Sequence, residues 1–418
     1  MANVLFLVHR MPYPPNKGDK LRSYHMLKEM SQRHRVFLGT LVDDPADMAH
    51  LPALKALCVD VCAQPLHPLR ARVASLVALL TGEPLTMRYF RNTKLAQWVR
   101  RTVEAQAIDV VVVFSSSMAP YAMAHPKLPV VVDFIDIDSA KWAAYAGRHR
   151  GLLAWLYGRE GRTLLTAERT IAQMASRSFF STENEAALFR SLAPSSAARV
   201  EAMDNGVDAH YYSPQPDRAS PFEPGEKALV FTGAMDYWPN VDAVCWFVAE
   251  VLPRLLKQRP ELRLHIVGRS PTSEVRALAG QAVLVTGTVP DVRPYLQHAA
   301  VVVAPLRLAR GIQNKILEAM AMGRPVVAAQ ACVDVLDAEP GAEIMAAETA
   351  DDYLRCVLGL LATPDRAELI GRAGQHRVQQ RYTWAAHLAR LDRHLVMRHP
   401  PPSLQADAGT QISGTPIA

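Results

Sequence analysis

Two trains of short, largely apolar segments, each alternating with helical patterns, constrain this chain more than any other feature. The first train runs NVLFLV (3–8), RVFLGTLV (35–42), DVVVVFSS (109–116) and PVVVDFID (129–136). The second runs ALVFTG (228–233), LRLHIVG (262–268), AVLVTG (282–287) and AVVVAPL (300–306). Segments apolar on both faces suit strands of a parallel sheet covered by helices on each side. Between the trains lies SPQPDRASPFEPGEK (213–227), rich in Pro, Ser and charge, which reads as a linker. A chain of 418 residues also exceeds what one core usually supports. The expected architecture is therefore α/β, with two Rossmann-like parallel-sheet domains facing across a cleft. Residues 1–212 form the first domain, 213–227 the linker, 228–380 the second domain, and 381–399 a helix packing back on the first. Residues 400–418, polar and Pro-rich, read as a tail without structure.

Composition narrows the function classes. Lys and Arg number 46 against 40 Asp and Glu, a net charge of +6 that suits an anionic ligand or a membrane surface. No basic stripe interleaved with aromatics is present, so nucleic acid is not expected as a partner. Five cysteines, odd in number and mostly far apart, indicate neither a disulfide framework nor a zinc site; Cys58 and Cys62 read as a strand pair in a reducing compartment. The N-terminus enters a strand pattern directly, and no apolar run is long enough to span a bilayer. A cytoplasmic protein is expected, with the inner face of the plasma membrane as an open alternative.

The stretch GIQNKILEAMAMGRPVVAA (311–329) places a glutamate within an apolar run. On a helix beginning after Gly311, Ile312, Ile316, Ala319 and Met320 share one side, and Gly311, Asn314, Lys315 and Glu318 share a narrow arc on the other. Glu318 then lies one turn from Asn314 and Lys315, near the end where free N–H groups favour an anion. Two readings stand level: a phosphate-holding strand, loop and helix, or a surface pair of Lys315 with Glu318.

NGVD, TGAMDYWPNVDAVCWF, LHIVGRSP, GTVPDVRPYL and GIQNKILEAMAMGRPVVA occur in an order that resembles the retaining family 4 glycosyltransferases of the GT-B fold. More narrowly, YPPNKGDKLRS and VDFIDIDSAKW resemble the sugar transferases of bacterial exopolysaccharide and PEP-CTERM systems. The resemblance implies that the second domain holds a nucleotide diphosphate sugar and the first presents the acceptor. Glu318 matches the second acidic residue of the family's paired-glutamate motif, a contact to the ribose. Gly311, Ile312, Gln313, Asn314 and Lys315 match the loop and helix start beside the diphosphate, and Gly233 and Asp236 stand in the first donor-side loop. Two departures matter. Arg310 occupies the place of the first glutamate, and an arginine binds phosphate or a sugar carboxylate where a carboxylate would accept from hydroxyls. The Arg and Lys that often clamp the diphosphate are absent from TGAMDYWPN, so Arg269, Arg307, Arg310 and Lys315 are the candidate substitutes.

In the first domain, Lys17, Gly18, Asp19 and Arg22 crowd a strand end, where ligands bind in open α/β sheets, with Asp19 as a plausible helix cap; a plain turn would look the same. Asp136 and Asp138, with Lys141 nearby, form an Asp-x-Asp pattern that elsewhere binds a divalent cation. Acceptor binding or orientation by this pair is favoured over metal, and Asp138 with Ser139 could equally cap the next helix. The histidine that many family members place after the fourth strand is missing, since FSSSMAPY stands there; Asp136 or Asp138 are candidates for part of its role. LRARVASLVALLTG (69–82) puts Leu69, Val73, Leu76, Val77 and Leu80 on one helical face, expected to meet the core, with docking on a bilayer as the alternative.

The expected activity is hexosyl transfer with retention, from a nucleotide diphosphate sugar to a glycan or lipid-linked glycan in exopolysaccharide biosynthesis. No cofactor and no metal are expected, the helix N–H groups and basic residues taking the place of a cation. Glu318, Arg310, Lys315 and Asp136 are the expected catalytic residues. A nucleotide-sugar 2-epimerase and a noncatalytic glycan-binding scaffold are the rivals.

Overall fold

The computed structural model describes residues 1–15, 18–307 and 312–395. The first domain is built on seven parallel strands: β1 (Asn3–Val8), β2 (Arg35–Val42), β3 (Asp60–Pro65), β4 (Val110–Phe114), β5 (Val130–Ile135), β6 (Arg177–Phe180) and β7 (Val200–Ala202), in the order β3-β2-β1-β4-β5-β6-β7. The second has six: β8 (Lys227–Thr232), β9 (Leu262–Val267), β10 (Val283–Gly287), β11 (Val301–Ala304), β12 (Val326–Ala329) and β13 (Met345–Ala347), in the order β10-β9-β8-β11-β12-β13. Both sheets reverse direction of winding beside their first strand, where β1 meets β4 and β8 meets β11. Crevices form at such points beyond the carboxyl ends of the strands.

The apolar runs became strands because every residue of β4 and β11 is buried, as covering on both faces demands. Helices pack a core on each face of the first sheet and a continuous core around the second. The helix Trp384–Leu395 joins the first domain: Leu388, Leu391 and Leu395 sit in the core beneath the helix Gly18–Arg33. Asp392 accepts from His34 at 2.7 Å and from Arg33 at 3.0 Å. Gly206 is fixed by this docking, since a Cβ there would lie 2.7 Å from the Trp384 nitrogen.

Two expectations need correction. Only Cys62 lies on β3, and Cys58 precedes it. The segment 69–82 folds as two short helices, Pro68–Ser75 and Ala78–Thr81, that turn their large residues outward. Leu69, Val73 and Leu80 are 76 %, 69 % and 89 % exposed. The inner positions are taken by Ala71, Ser75 and Ala78, whose small side chains let the helices lie close on the domain.

Candidate functional site

Strands β1, β4, β5, β8 and β9 each place a cavity-lining residue just past the carboxyl end: His9, Ser115, Asp136, Gly233 and Gly268. In the second domain these ends surround a cavity of about 880 Å³ whose walls include Thr232, Gly233, Arg269, Gln313, Lys315 and Glu318, with Tyr212 from the stretch just before the linker. Gly18 and Asn205 of the first domain complete it.

The helix Asn314–Ala321 buries Ile316, Leu317, Ala319 and Met320 and so aims Lys315 and Glu318 at the cavity. It starts at Asn314 with Gln313 as its N-cap, later than the expected start after Gly311. Lys315 Nζ donates to Asn240 Oδ1 at 2.5 Å and lies 4.3 Å from the centre of the Phe231 ring. Burial pushes its pKa down to about 7, against the pull of Glu318. Glu318 accepts a hydrogen bond from the Tyr212 hydroxyl, and burial raises its carboxyl to about 7, opposed by Tyr212 and Lys315. Burial disfavours the charged form of both groups, and a ligand bringing hydroxyls to the carboxyl and negative charge to the amine would relieve both. Gly233 is required by close approach, since a Cβ there would lie 2.7 Å from Asn240 Nδ2 and 2.9 Å from Lys315 Nζ. A Cβ on Gly268 would fall 1.6 Å from the Gly233 carbonyl oxygen, so the loops after β8 and β9 lock together.

Ile312, Gln313 and Asn314 line the cavity, as does Arg269, whose exposed guanidinium has no partner among the described residues. Arg307 is paired with Asp242 at 2.7 Å and is not part of the lining. Asp236 is likewise exposed outside the cavity, and Tyr237 and Asn240 line it instead. Arg310, Gly311 and Lys17 lie outside the described residues.

A second cavity of about 360 Å³ opens at the strand ends of the first domain and also includes Gly18 and Asn205. Gly18, Asp19, Arg22, Asp136, Asp138 and Lys141 all line it. Arg22 is buried in an ion pair with Asp133 (2.7 Å) and donates to Asn205 Oδ1 (3.0 Å), so it braces the wall as a paired group. Asp19 falls within the first turn of the helix Gly18–Arg33. It accepts from Arg10 at 3.0 Å and faces His9 at 3.4 Å; although burial opposes it, His9 and Arg10 hold its carboxyl far below the usual carboxylate range. Lys141 Nζ reaches Asp136 Oδ2 at 2.8 Å and Asp138 Oδ1 at 3.1 Å, and Ser181 donates to the other Asp136 oxygen at 2.7 Å. A cation at this Asp-x-Asp pair would have to displace an ammonium group that already bridges it. Burial would raise Asp136, but Lys141 and Ser181 outweigh it and lower the pKa. Ser139 is no cap for its own helix; its backbone N–H and hydroxyl donate to the buried Glu168 on the neighbouring helix.

Ser115 and Ile135 hold positive φ angles of 77° and 71° at the ends of β4 and β5, both on the cavity wall. Such conformations cost roughly 1–3 kcal/mol each and persist where the surroundings fix them. His9, Ser181, Tyr212 and Asn240 are site residues that sequence reasoning missed. Tyr212 stood at the linker boundary, and Asn240 inside a quoted motif whose folding alone turns its amide inward.

Two Rossmann-like parallel-sheet domains with their carboxyl edges opposed make up the GT-B fold. Residues 20–206 match the family model "Glycosyl transferase 4-like domain", and residues 226–363 match "Glycosyl transferases group 1". The chain thus carries both glycosyltransferase domains, one on each sheet. Among solved structures it is similar to HepE of Anabaena, in complex with UDP (TM-score 0.64, 16 % identity, 94 % of this chain and 99 % of that one). It is also similar to sucrose-phosphate synthase of Thermosynechococcus elongatus (TM-score 0.62, 17 % identity, 94 % and 98 % covered). WaaG, a glycosyltransferase involved in lipopolysaccharide biosynthesis, aligns with TM-score 0.57 at 16 % identity over 93 % and 99 %. No curated protein sequence matches the chain significantly.

Proposed function

We propose that this glycosyltransferase moves a hexosyl unit, with retention, from a nucleotide diphosphate sugar to a glycan or lipid-linked glycan during exopolysaccharide synthesis at the cytoplasmic side of the membrane. The observation that carries the reading is the union of the two cavities through Gly18 and Asn205. Glu318 and Lys315 stand on one side of that cleft, and the Asp136, Lys141 and Ser181 cluster on the other. HepE was crystallised with UDP-glucose, which supports a nucleotide-sugar donor here.

Glu318 accepts from the ribose, while Lys315 and Arg269 draw the charge of the departing diphosphate. As the sugar–phosphate bond breaks, the anomeric carbon becomes oxocarbenium-like. The acceptor hydroxyl attacks the face that the leaving group vacates, and its proton passes to the leaving phosphate oxygen. Asp136, held by Lys141 and Ser181, orients that hydroxyl. No metal is needed, because cationic side chains meet both the diphosphate and the aspartate pair.

The test supplies purified protein with UDP-, GDP- or ADP-hexoses and a glycolipid extract, and follows sugar incorporation with and without chelator. Chelator-resistant transfer supports the reading. Nucleotide binding without transfer from any donor would favour a noncatalytic scaffold, and interconversion of the donor's C2 epimers would favour an epimerase.

A further inference from the structure

We propose that the outer face of the helices Pro68–Ser75 and Ala78–Thr81, together with the first turns of the helix Gly151–Met174, docks on an anionic bilayer. The inference rests on the lipid-linked acceptor reading for its purpose and on separate observations for its evidence. Leu76, Val77 and Leu80 are exposed on the first two helices, and Leu152, Leu153 and Trp155 on the third. Arg159 clamps these elements into one surface, donating to the carbonyls of Ala78 at 2.6 Å and Glu83 at 3.2 Å. Leu152, Trp155 and Arg159 follow one another on a single helical stripe. Glu160, the next residue, receives the backbone N–H groups of Leu85 and Thr86 at 2.7 and 2.8 Å, fixing the segment's far end.

Charge selects the occupant. Residues 66–82 and 139–159 contain no Asp or Glu, and Arg70, Arg72 and Arg150 are exposed among the apolar side chains. The first acids beyond them are committed elsewhere: Glu83 pairs with Arg91 at 2.9 Å, and Glu160 is buried. A second copy meeting this face symmetrically would bring arginines against arginines. Anionic headgroups above an acyl layer satisfy both the arginines and the leucines.

Beside this face lies a further cavity of the first domain. The helix Leu85–Tyr89 follows directly, and its Met87 lines a cavity of about 540 Å³ with Arg91, Arg100, Ser117 and His125. Ser117 Oγ lies 2.9 Å from Ser115 Oγ, which lines the acceptor-side cavity.

Sedimentation of the full chain with sucrose-loaded vesicles of phosphatidylcholine, with or without about 30 mol % phosphatidylglycerol, tests this directly. Wild-type protein is expected to sediment with the anionic vesicles alone and to be released by salt. Leu76→Ser with Leu80→Ser, and separately Arg70→Gln with Arg72→Gln, should weaken partition at least about tenfold. Both variants should keep wild-type circular dichroism and nucleotide binding, which separates loss of the face from misfolding. Vesicle binding that persists when no donor is used would sustain the face and remove only its proposed purpose. Wild-type protein that stays in the supernatant, or variants that sediment as wild type does, would overturn the proposal. So would light scattering that shows a dimer broken by the leucine variants, since the face would then belong to a second copy.

Discussion

Glu318 and Lys315 sit one turn apart on a helix whose other side is core, and that burial decides their chemistry. Glu318→Gln keeps volume and the Tyr212 contact but removes the charge available to a ribose. At pH 8, where the wild-type carboxyl is ionised, calorimetry should show donor binding weakened by roughly 1.5–3 kcal/mol. Unchanged affinity would remove Glu318 from the site. Lys315 gives a second reading of the same helix. Its pKa is lowered to about 7 without ligand, and a bound diphosphate should raise it, so at pH 8 a neutral amine becomes an ammonium. Nucleotide diphosphate binding to Glu318→Gln should therefore take up part of a proton from the buffer. Calorimetry in buffers of different ionisation enthalpy measures this, and Lys315→Met should abolish it. Equal heats in every buffer would mean that the lysine does not meet the phosphates.

Among the elements, the helix Gly151–Met174 supports the acceptor side through Glu168, which receives Ser139 at the start of the helix Asp138–Arg148. Burial raises the Glu168 carboxyl from 4.5 to about 7, although its bonds to Ser139 oppose this. The folded protein therefore binds a proton more tightly than the unfolded chain does. Stability from this group is present below about pH 4.5 and is lost as pH rises through about 7. Relative to Glu168→Gln, wild-type protein should lose up to roughly 3 kcal/mol between pH 5 and 8 in denaturant melts. Parallel pH profiles of the two proteins would contradict the buried acid.

Such elements were legible to different degrees. The eight apolar runs announced their strands because covered parallel strands need no polar alternation. The edge strand DVCAQP and the three-residue strands VEA and MAA carry too little pattern to be read alone. Periodicity in residues 69–82 revealed a stripe but not its direction, which depends on the small residues Ala71, Ser75 and Ala78 fitting beneath. The Asp-x-Asp pattern was visible, whereas Ser181, which bonds Asp136 from another strand end, requires the folded sheet.

At the scale of the whole molecule, two switch points are held face to face, and the chain crosses back to tie them. The helix Trp384–Leu395 follows the second domain in sequence yet packs in the core of the first, with Gly206 pressed on its beginning. Gly206→Val should disturb this tie and lower the melting temperature, by an overpacking cost of roughly 1–3 kcal/mol. Donor binding should survive it, because Lys315 and Glu318 lie on the other domain. Loss of nucleotide binding with an unchanged melting temperature would show that the docking is not what Gly206 serves.

The division of labour across the cleft is tested most directly by calorimetric titration of UDP, GDP and ADP into four proteins: wild type, Glu318→Gln, Lys315→Met and Asp136→Asn. One nucleotide should bind wild type at a single site, lose affinity in the Glu318 and Lys315 variants, and retain it in Asp136→Asn. Binding that ignores Glu318 and Lys315, or that collapses in Asp136→Asn alone, would place the donor on the wrong sheet and contradict the assignment.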